Sequence, residues 1–331
     1  MKNFSKKLIL IPMLLGITTP LVYATNSHIT SSAIMKNTDD KDHNIGNDYV
    51  KIVKYYQQAA ELGDTHAEFN LGMMYATGNG VKKSYPQALG YLYHAADKGN
   101  VNAQTLLGIA YYKGKFGLKP NYEKAVEYLK KAAKQDNAEA QLILGILYYT
   151  GKGVAPDYIR ASTYFQKLAT LYGNPDAQYM LGIMYANGEG VKQNSKIAIE
   201  YLKKSAQQGN SEATLLLGIM YANGDGVEQN FTKASEYFRQ EAVKGNTEAT
   251  LLLGMMHANE KGEHDLKKVV EYLHKKSEEG NAVAQYYLGA LYLEGEGVEQ
   301  NKAKAVEYWK KSANQGFKAA IMGLNKINKK I

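Results

Sequence analysis

A leucine–glycine pair returns along most of this sequence at a nearly constant interval. It occurs at Leu71-Gly72, Leu107-Gly108, Leu144-Gly145, Leu181-Gly182, Leu217-Gly218, Leu253-Gly254 and Leu288-Gly289. Successive pairs are 36, 37, 37, 36, 36 and 35 residues apart. A period of this length, kept over seven copies, predicts a row of stacked supersecondary units in place of a single globular core.

Each copy has the pattern of two helices, which is clearest in the segment 211–246. Leu217 and Tyr221 are four residues apart and belong to one stripe of a first helix. Gly224 follows that stripe, and glycine in the left-handed conformation is a common helix end. A second apolar face at helical spacing then surrounds Phe238. Neither helix can bury its apolar face alone, so the copies must stack, and the chain is predicted to be an all-α solenoid.

The repeated pattern is A-x-x-x-L-G-x-M-Y-x-x-G-x-G-V, followed by K-A-x-x-Y, a pair of small residues and G-N. It is nearly intact at Ala67–Val81, Ala177–Val191, Ala213–Val227 and Ala284–Val298. These residues resemble the Sel1-like repeat (SLR) family, which is related to the tetratricopeptide repeats. The resemblance implies a right-handed superhelical α/α solenoid of about seven SLR helix pairs, with a half-repeat cap at each end.

The chain is predicted to have three parts. Met1–Ala24 has the pattern of a signal peptide, because three lysines precede a short apolar run and Val22-Tyr23-Ala24 offers a cleavage site. Residues 25–47 are polar and aperiodic, which predicts a disordered leader. The solenoid occupies 48–331. Its copies are placed at about 64–99, 100–136, 137–173, 174–209, 210–245, 246–280 and 281–316, with half-repeats at 48–63 and 317–331.

Charge and cysteine content limit the classes of function. The formal net charge is +8, and removal of the three lysines of the signal peptide lowers it to +5. This mild excess does not indicate nucleic-acid binding. The chain has no cysteine, so neither disulfide chemistry nor lipid attachment through cysteine is expected. We therefore expect an exported bacterial protein, periplasmic or secreted, with no transmembrane span once the signal is removed.

The sequence contains no recognisable catalytic motif. Some members of the resembled family bind or hydrolyse β-lactams, but no serine here is followed by lysine three residues later, and K-T-G and S-D-N are absent. The recurring G-x-G follows a helix and not a strand, which indicates a turn and not a phosphate loop. No catalytic residue and no cofactor is therefore predicted. A β-lactam-binding or peptidoglycan-binding or hydrolysing protein remains an alternative.

The sixth copy departs from the pattern at its turn, where His257, Glu260 and His264 lie close together. Imidazole and carboxylate groups are ligands for transition metals. A turn that has lost the repeat pattern, with polar side chains facing solvent, is the simpler interpretation, so no metal is predicted. Lysine pairs recur on the second helix at Lys130-Lys131, Lys203-Lys204, Lys275-Lys276 and Lys310-Lys311. A solvated outer face explains them, and an acidic partner surface is the alternative.

The candidate binding residues form a stripe on the first helices that avoids the repeat-defining positions; we call it the apolar ladder. It consists of Leu106, Ile109, Ile143, Ile146, Met180, Ile183, Leu216, Ile219, Leu252 and Met255. Its edges carry Glu139, Asp176, Glu212, Glu248, Asn187, Asn223 and Asn259. An exposed strip of this length would mark a binding surface. The alternative is that tight curvature buries these side chains within the stack.

These features together predict a non-enzymatic scaffold for protein–protein interaction in the bacterial cell envelope, with a partner segment in the concave groove. The family resemblance implies a role in envelope assembly or in contact with host cells. The partner is a protein, and a cell-wall or host-cell component is possible in its place. A purely structural spacer is a further alternative.

Overall fold

The computed structural model describes residues 45–328, except 247, 250–251 and 254–265. Within those residues all regular structure is helical, so the predicted all-α fold of helix pairs is confirmed. The helices are α1 Ile45–Glu61, α2 Thr65–Thr77, α3 Tyr85–Asp97, α4 Val101–Lys113, α5 Tyr122–Lys134, α6 Ala138–Thr150, α7 Tyr158–Leu171, α8 Pro175–Asn187, α9 Ser195–Gln207, α10 Ser211–Asn223, α11 Phe231–Val243, α12 Leu266–Glu278, α13 Ala282–Glu294, α14 Lys302–Asn314 and α15 Lys318–Asn328. No described helix is long and apolar enough to cross a membrane. The predicted signal peptide and most of the predicted polar leader lie outside the described residues.

Capping residues define both ends of the first helices. Asn210 precedes α10, and its side-chain oxygen accepts a hydrogen bond from the Ala213 amide, which has no partner inside the helix. At the other end, Gly224 is left-handed with φ of +79° and donates its amide to the Met220 carbonyl. The sequence predicted this glycine stop, and the same arrangement of Asn cap and Gly stop recurs at α4, α6, α8 and α13.

The glycine of the Leu-Gly pair brings the two helices of a copy together. A Cβ atom on Gly218 would lie 2.4 Å from the ring of Phe238, a side chain that is fully buried. Gly145 has the same relation to Phe165, at 2.7 Å. In the described copies that lie within one unit, the first helix therefore packs directly against a large side chain of its second helix, which explains why this position excludes a side chain.

The described helices form two compact units. One ends at Gln193 and contains α1–α8; the other begins at Asn194 and contains α9–α15. In the first unit, Phe69, Leu92 and Leu107 belong to one buried cluster that joins two copies. In the second unit, Phe238 and Leu252 lie in one cluster, and Trp309 lies at the centre of another.

At Gly226 and Gly153, the second glycine of the G-x-G turn has a role that the sequence did not predict. The G-x-G pattern indicated only a turn, but Gly226 lies against α9, which belongs to the preceding copy. A Cβ atom on Gly226, whose φ is +74°, would lie 2.1 Å from the Cβ atom of Ser195. Gly153 meets Tyr122 in the same way, at 2.3 Å from its carbonyl carbon. This glycine is therefore a contact between copies as well as a turn residue.

Candidate functional site

The apolar ladder is largely buried. Six of its members have little exposed surface: Ile109, Ile143, Met180, Ile183, Ile219 and Leu252. Three are partly exposed, namely Leu106, Ile146 and Leu216, and Met255 lies outside the described residues. Most of the ladder therefore follows the alternative given above, in which tight curvature of the solenoid buries these side chains within the stack. Partner binding by these residues stays a prediction, and its accessible part is Leu106, Ile146 and Leu216.

The burial arises where the first helices of successive copies approach each other. Ile219 of α10 lies in the same buried cluster as Leu252, which belongs to the first helix of the next copy. Met73 of α2 and Leu106 of α4 share a cluster in the corresponding way. The later ladder position of one copy therefore packs near the earlier position of the next. The apolar ladder thus lines the contact between first helices of successive copies, which we call the seam. Only part of its apolar surface remains accessible.

Carboxylates border this seam on the first helices. Glu139, Asp176, Glu212 and Glu248 occupy equivalent places near the start of their helices, and all are partly buried. Burial raises the pKa of Glu139, against the opposing effect of Lys113 and Lys115. Glu212 and Glu248 form no ion pair with any basic residue that the structure describes. The edge of the seam is thus acidic in both units.

Glu248 is the most perturbed of these carboxylates. Burial raises the pKa of Glu248 to about 7, and the nearby charge of Glu212 adds to the shift. Its Oε1 atom is shielded from solvent and has no hydrogen-bond partner among the described residues. Tyr287 lies close by, and the pKa of its phenol is also raised, first by burial and then by the Glu248 charge. Ionisation of Glu248 therefore opposes folding near neutral pH.

Replacing Glu248 by glutamine should stabilise the protein at alkaline pH. The folded-state pKa lies above the unperturbed value of 4.5, so the stability that the protonated carboxyl contributes is complete below pH 4.5 and is lost as pH rises through about 7. We expect Glu248→Gln to raise the free energy of unfolding at pH 8 by about 1–3 kcal/mol, with little change at pH 4. Urea titration at both pH values measures this. The exposed Glu228→Gln serves as control, and an equal gain for both variants would contradict the explanation by burial.

A second surface feature was missed at the sequence level. Each described copy that lies within one unit stacks a first-helix tyrosine on a second-helix tyrosine; these pairs are Tyr75/Tyr91, Tyr111/Tyr128, Tyr148/Tyr164, Tyr221/Tyr237 and Tyr292/Tyr308. Basic side chains lie over four of these pairs, among them Lys203 over Tyr221. The sequence shows the lysine pairs on the second helices. It does not show that these lysines lie over tyrosines of the next copy, because that contact forms only when the copies stack. We call this set the tyrosine–lysine column.

The sequence also raised the possibility of a metal site. Among the residues that the structure describes, no three His, Cys, Asp or Glu side chains are grouped to hold a metal ion. The turn with His257, Glu260 and His264 lies outside the described residues, so metal binding there stays an open alternative.

Comparison with known proteins gives the family. The Sel1 repeat model matches residues 45–64, 65–100, 101–137, 138–172, 175–210, 211–240 and 282–317. Proteins of this kind generally act as non-catalytic scaffolds for protein–protein interaction.

Two solved structures resemble this chain over most of its length. One is c5321, a protective antigen present in uropathogenic Escherichia coli strains that displays an SLR fold; it is 33% identical with a TM-score of 0.61, and the match covers 82% of this chain and 58% of that chain. The present chain thus spans less than two thirds of that protein. The other is a Sel1 repeat protein from Oxalobacter formigenes, 31% identical with a TM-score of 0.60, with 87% and 82% of the two chains covered. The repeat matches extend over more than half of the sequence, and the chain belongs to the Sel1 repeat family.

Proposed function

We propose that this protein is a non-enzymatic interaction scaffold of the bacterial cell envelope, and that it binds a segment of a partner protein along its first helices. The observation that carries the proposal is the composition of that face. Leu216 is partly exposed beside Glu212, one turn away on α10, and Ile146 of α6 is partly exposed on the helix that carries Glu139. Accessible apolar positions are therefore flanked by carboxylates in both units.

The chemistry of this face favours a particular kind of segment. In the second unit, an apolar side chain of the partner would contact Leu216, since interface energy concentrates in a few desolvated anchors. Leu106 and Ile146 offer the equivalent contact in the first unit. Lysine or arginine next to those anchors would neutralise the carboxylates of Glu212 and Glu248, and the burial of Glu248 makes an opposite charge there especially favourable. A segment that combines apolar and basic residues is thus the expected ligand, extended or helical.

The location in the envelope rests on separate observations. The basic start, short apolar run and small residues of Met1–Ala24 are typical of a cleaved export signal. A similar protein, c5321, is a protective antigen present in uropathogenic Escherichia coli strains, which is compatible with export. Envelope assembly and host-cell contact are both compatible with an exported scaffold. Removal of the signal is tested by N-terminal sequencing of the exported protein, which should begin at Thr25.

The binding face is tested by site-specific photo-crosslinking in living cells. A photo-reactive amino acid at Leu216 should yield a defined protein adduct, which mass spectrometry then identifies. The same residue at the exposed Lys310 of α14 should yield none. Equal adducts from both positions, or turnover of a chromogenic β-lactam by the purified protein, would contradict the proposal.

Affinity for the identified partner provides the quantitative test. Leu216→Asp should weaken binding at least about tenfold, roughly 1.4 kcal/mol, because it places a charge at an apolar anchor. Val243→Asp is the matched control, since it makes the same chemical change at a side chain that is 84% exposed on the second helix of the same copy. If Val243→Asp weakened binding as much as Leu216→Asp, the first-helix face would not be the binding surface.

A further inference from the structure

The tyrosine–lysine column has a regular geometry in which basic groups lie over stacked rings. In the second unit, the Tyr221 and Tyr237 rings are 5.7 Å apart and 18° from parallel. Lys203 of α9, from the preceding copy, lies 5.9 Å from the Tyr221 centroid, and Lys233 of α11 lies 5.4 Å from it. Two ammonium groups from successive second helices therefore flank one aromatic pair.

The first unit repeats this arrangement at the equivalent positions. Tyr148 stacks on Tyr164, and the Tyr148 ring has Lys130 at 5.7 Å and Arg160 at 5.5 Å. Lys130 corresponds to Lys203, seven residues before the cap of the next first helix. The same geometry at equivalent positions in two copies argues against an accidental contact between long surface side chains.

The charges of these lysines are not neutralised by carboxylates. Lys203, Lys233 and Lys130 form no ion pair within the part of the chain that the structure describes. By contrast, Lys276 and Lys311 are paired with Glu279 and Glu307 on or next to their own helices. The attraction of a lysine to an aromatic ring is weak at an exposed site and does not neutralise the ammonium charge. The flanking lysines therefore remain available to an anionic ligand.

These residues line a cleft of about 260 Å³ on the second unit, formed by Lys203, Tyr221, Lys233, Glu236, Tyr237 and Gln240. We propose that this cleft binds an acidic polypeptide segment, with a carboxylate of the segment between Lys203 and Lys233. The Tyr237 ring is partly exposed and offers apolar contact beside the two charges, whereas Tyr221 is buried beneath it. Glu236 and Gln240 supply side-chain acceptors for backbone N–H groups of an extended peptide.

The lining favours a peptide over a phosphate polymer. Both basic groups are lysines, which attract carboxylates and phosphates alike as point charges, so the preference comes from the other lining residues. Glu236 would repel a ligand with closely spaced negative charges, but it is compatible with a single carboxylate next to a backbone amide. Partly apolar walls add nothing to the binding of an inorganic polyanion, and they do add to the binding of a peptide that carries apolar side chains.

This site is separate from the surface of the proposed function. At 3.6 residues per turn, Tyr221 lies on the opposite side of α10 from Glu212, Leu216 and Asn223. One face of the solenoid unit is therefore acidic and the other is basic. A scaffold with two such faces can hold two different segments, so the inference does not depend on the identity of the first partner.

The experiment measures binding of a fluorescein-labelled peptide of alternating glutamate and leucine to the full chain by fluorescence anisotropy. Lys203→Gln with Lys233→Gln should weaken binding at least about fivefold, and raising the salt concentration should weaken binding to the native protein. Lys203→Arg with Lys233→Arg should retain binding, because the charge is kept. Lys276→Gln with Lys311→Gln is the control, since it removes two positive charges from the same unit.

Three results would overturn the proposal. Equal weakening by the control pair would indicate general electrostatic attraction and no specific cleft. Inorganic polyphosphate that binds as tightly as the peptide and depends equally on Lys203 and Lys233 would show that the site takes polyanions. Association of the native protein with itself that is lost in the Lys203→Gln, Lys233→Gln variant would assign the cleft to a second copy of the chain.

Discussion

Replacing Ile219 by aspartate should unfold or nearly unfold the second unit of this protein. Ile219 is only 5% exposed and belongs to the cluster that also contains Phe238 and Leu252. The change removes buried aliphatic contacts and places a carboxyl among apolar side chains. Loss of packing contributes about 2–4 kcal/mol and an unsatisfied polar group about 1–3 kcal/mol. We expect the free energy of unfolding to fall by more than about 4 kcal/mol in urea titration.

Leu216→Asp is the matched control for this prediction. It makes a similar change on the same helix and the same stripe, but Leu216 is partly exposed, so the new carboxylate can stay hydrated. We expect a loss of about 1 kcal/mol or less, with far-UV circular dichroism unchanged. If Ile219→Asp were tolerated as well as Leu216→Asp, the ladder would be an open surface along its whole length. That result would contradict the packing of Ile219 between successive first helices.

The difference between these two residues marks the limit of what the sequence could predict. The roles of Leu217 and Gly224 are predicted correctly because they concern a single copy: a buried helix face and a helix end. The burial of Ile219 concerns two copies, since it depends on how near the next first helix approaches. Repeat spacing says that copies stack, but it does not give that distance.

The same reason explains the other findings that the sequence missed. Lys203 meets Tyr221 across the junction between copies, so a lysine pair on an outer helix gave no sign of its aromatic neighbour. The burial of Glu248 likewise follows from its place at the seam. The residue pattern of a single repeat therefore predicts the fold, whereas the chemistry of the surface depends on contacts between residues of adjacent repeats.

Gly153→Ala is the second change for which we expect a large effect. Gly153 has φ of +69°, and a Cβ atom there would lie 2.3 Å from the carbonyl carbon and 2.5 Å from the carbonyl oxygen of Tyr122. Left-handed backbone costs an L-residue about 1–2 kcal/mol. The clash is with main chain at the start of α5, which cannot rotate away as a side chain can, and overpacking of this kind costs about 1–3 kcal/mol more. The free energy of unfolding should fall by about 2–5 kcal/mol.

Gly99→Ala separates these two contributions. Gly99 lies in the same unit and is also left-handed, with φ of +93°, but a Cβ atom there has no heavy atom within 4 Å. This variant should lose only the conformational part, about 1–2 kcal/mol. The difference between the two variants in urea titration therefore measures the contact between Gly153 and the preceding copy. Equal losses would mean that the second glycine of the turn serves the turn alone, and that the copies are held together by their helix faces and not by this contact.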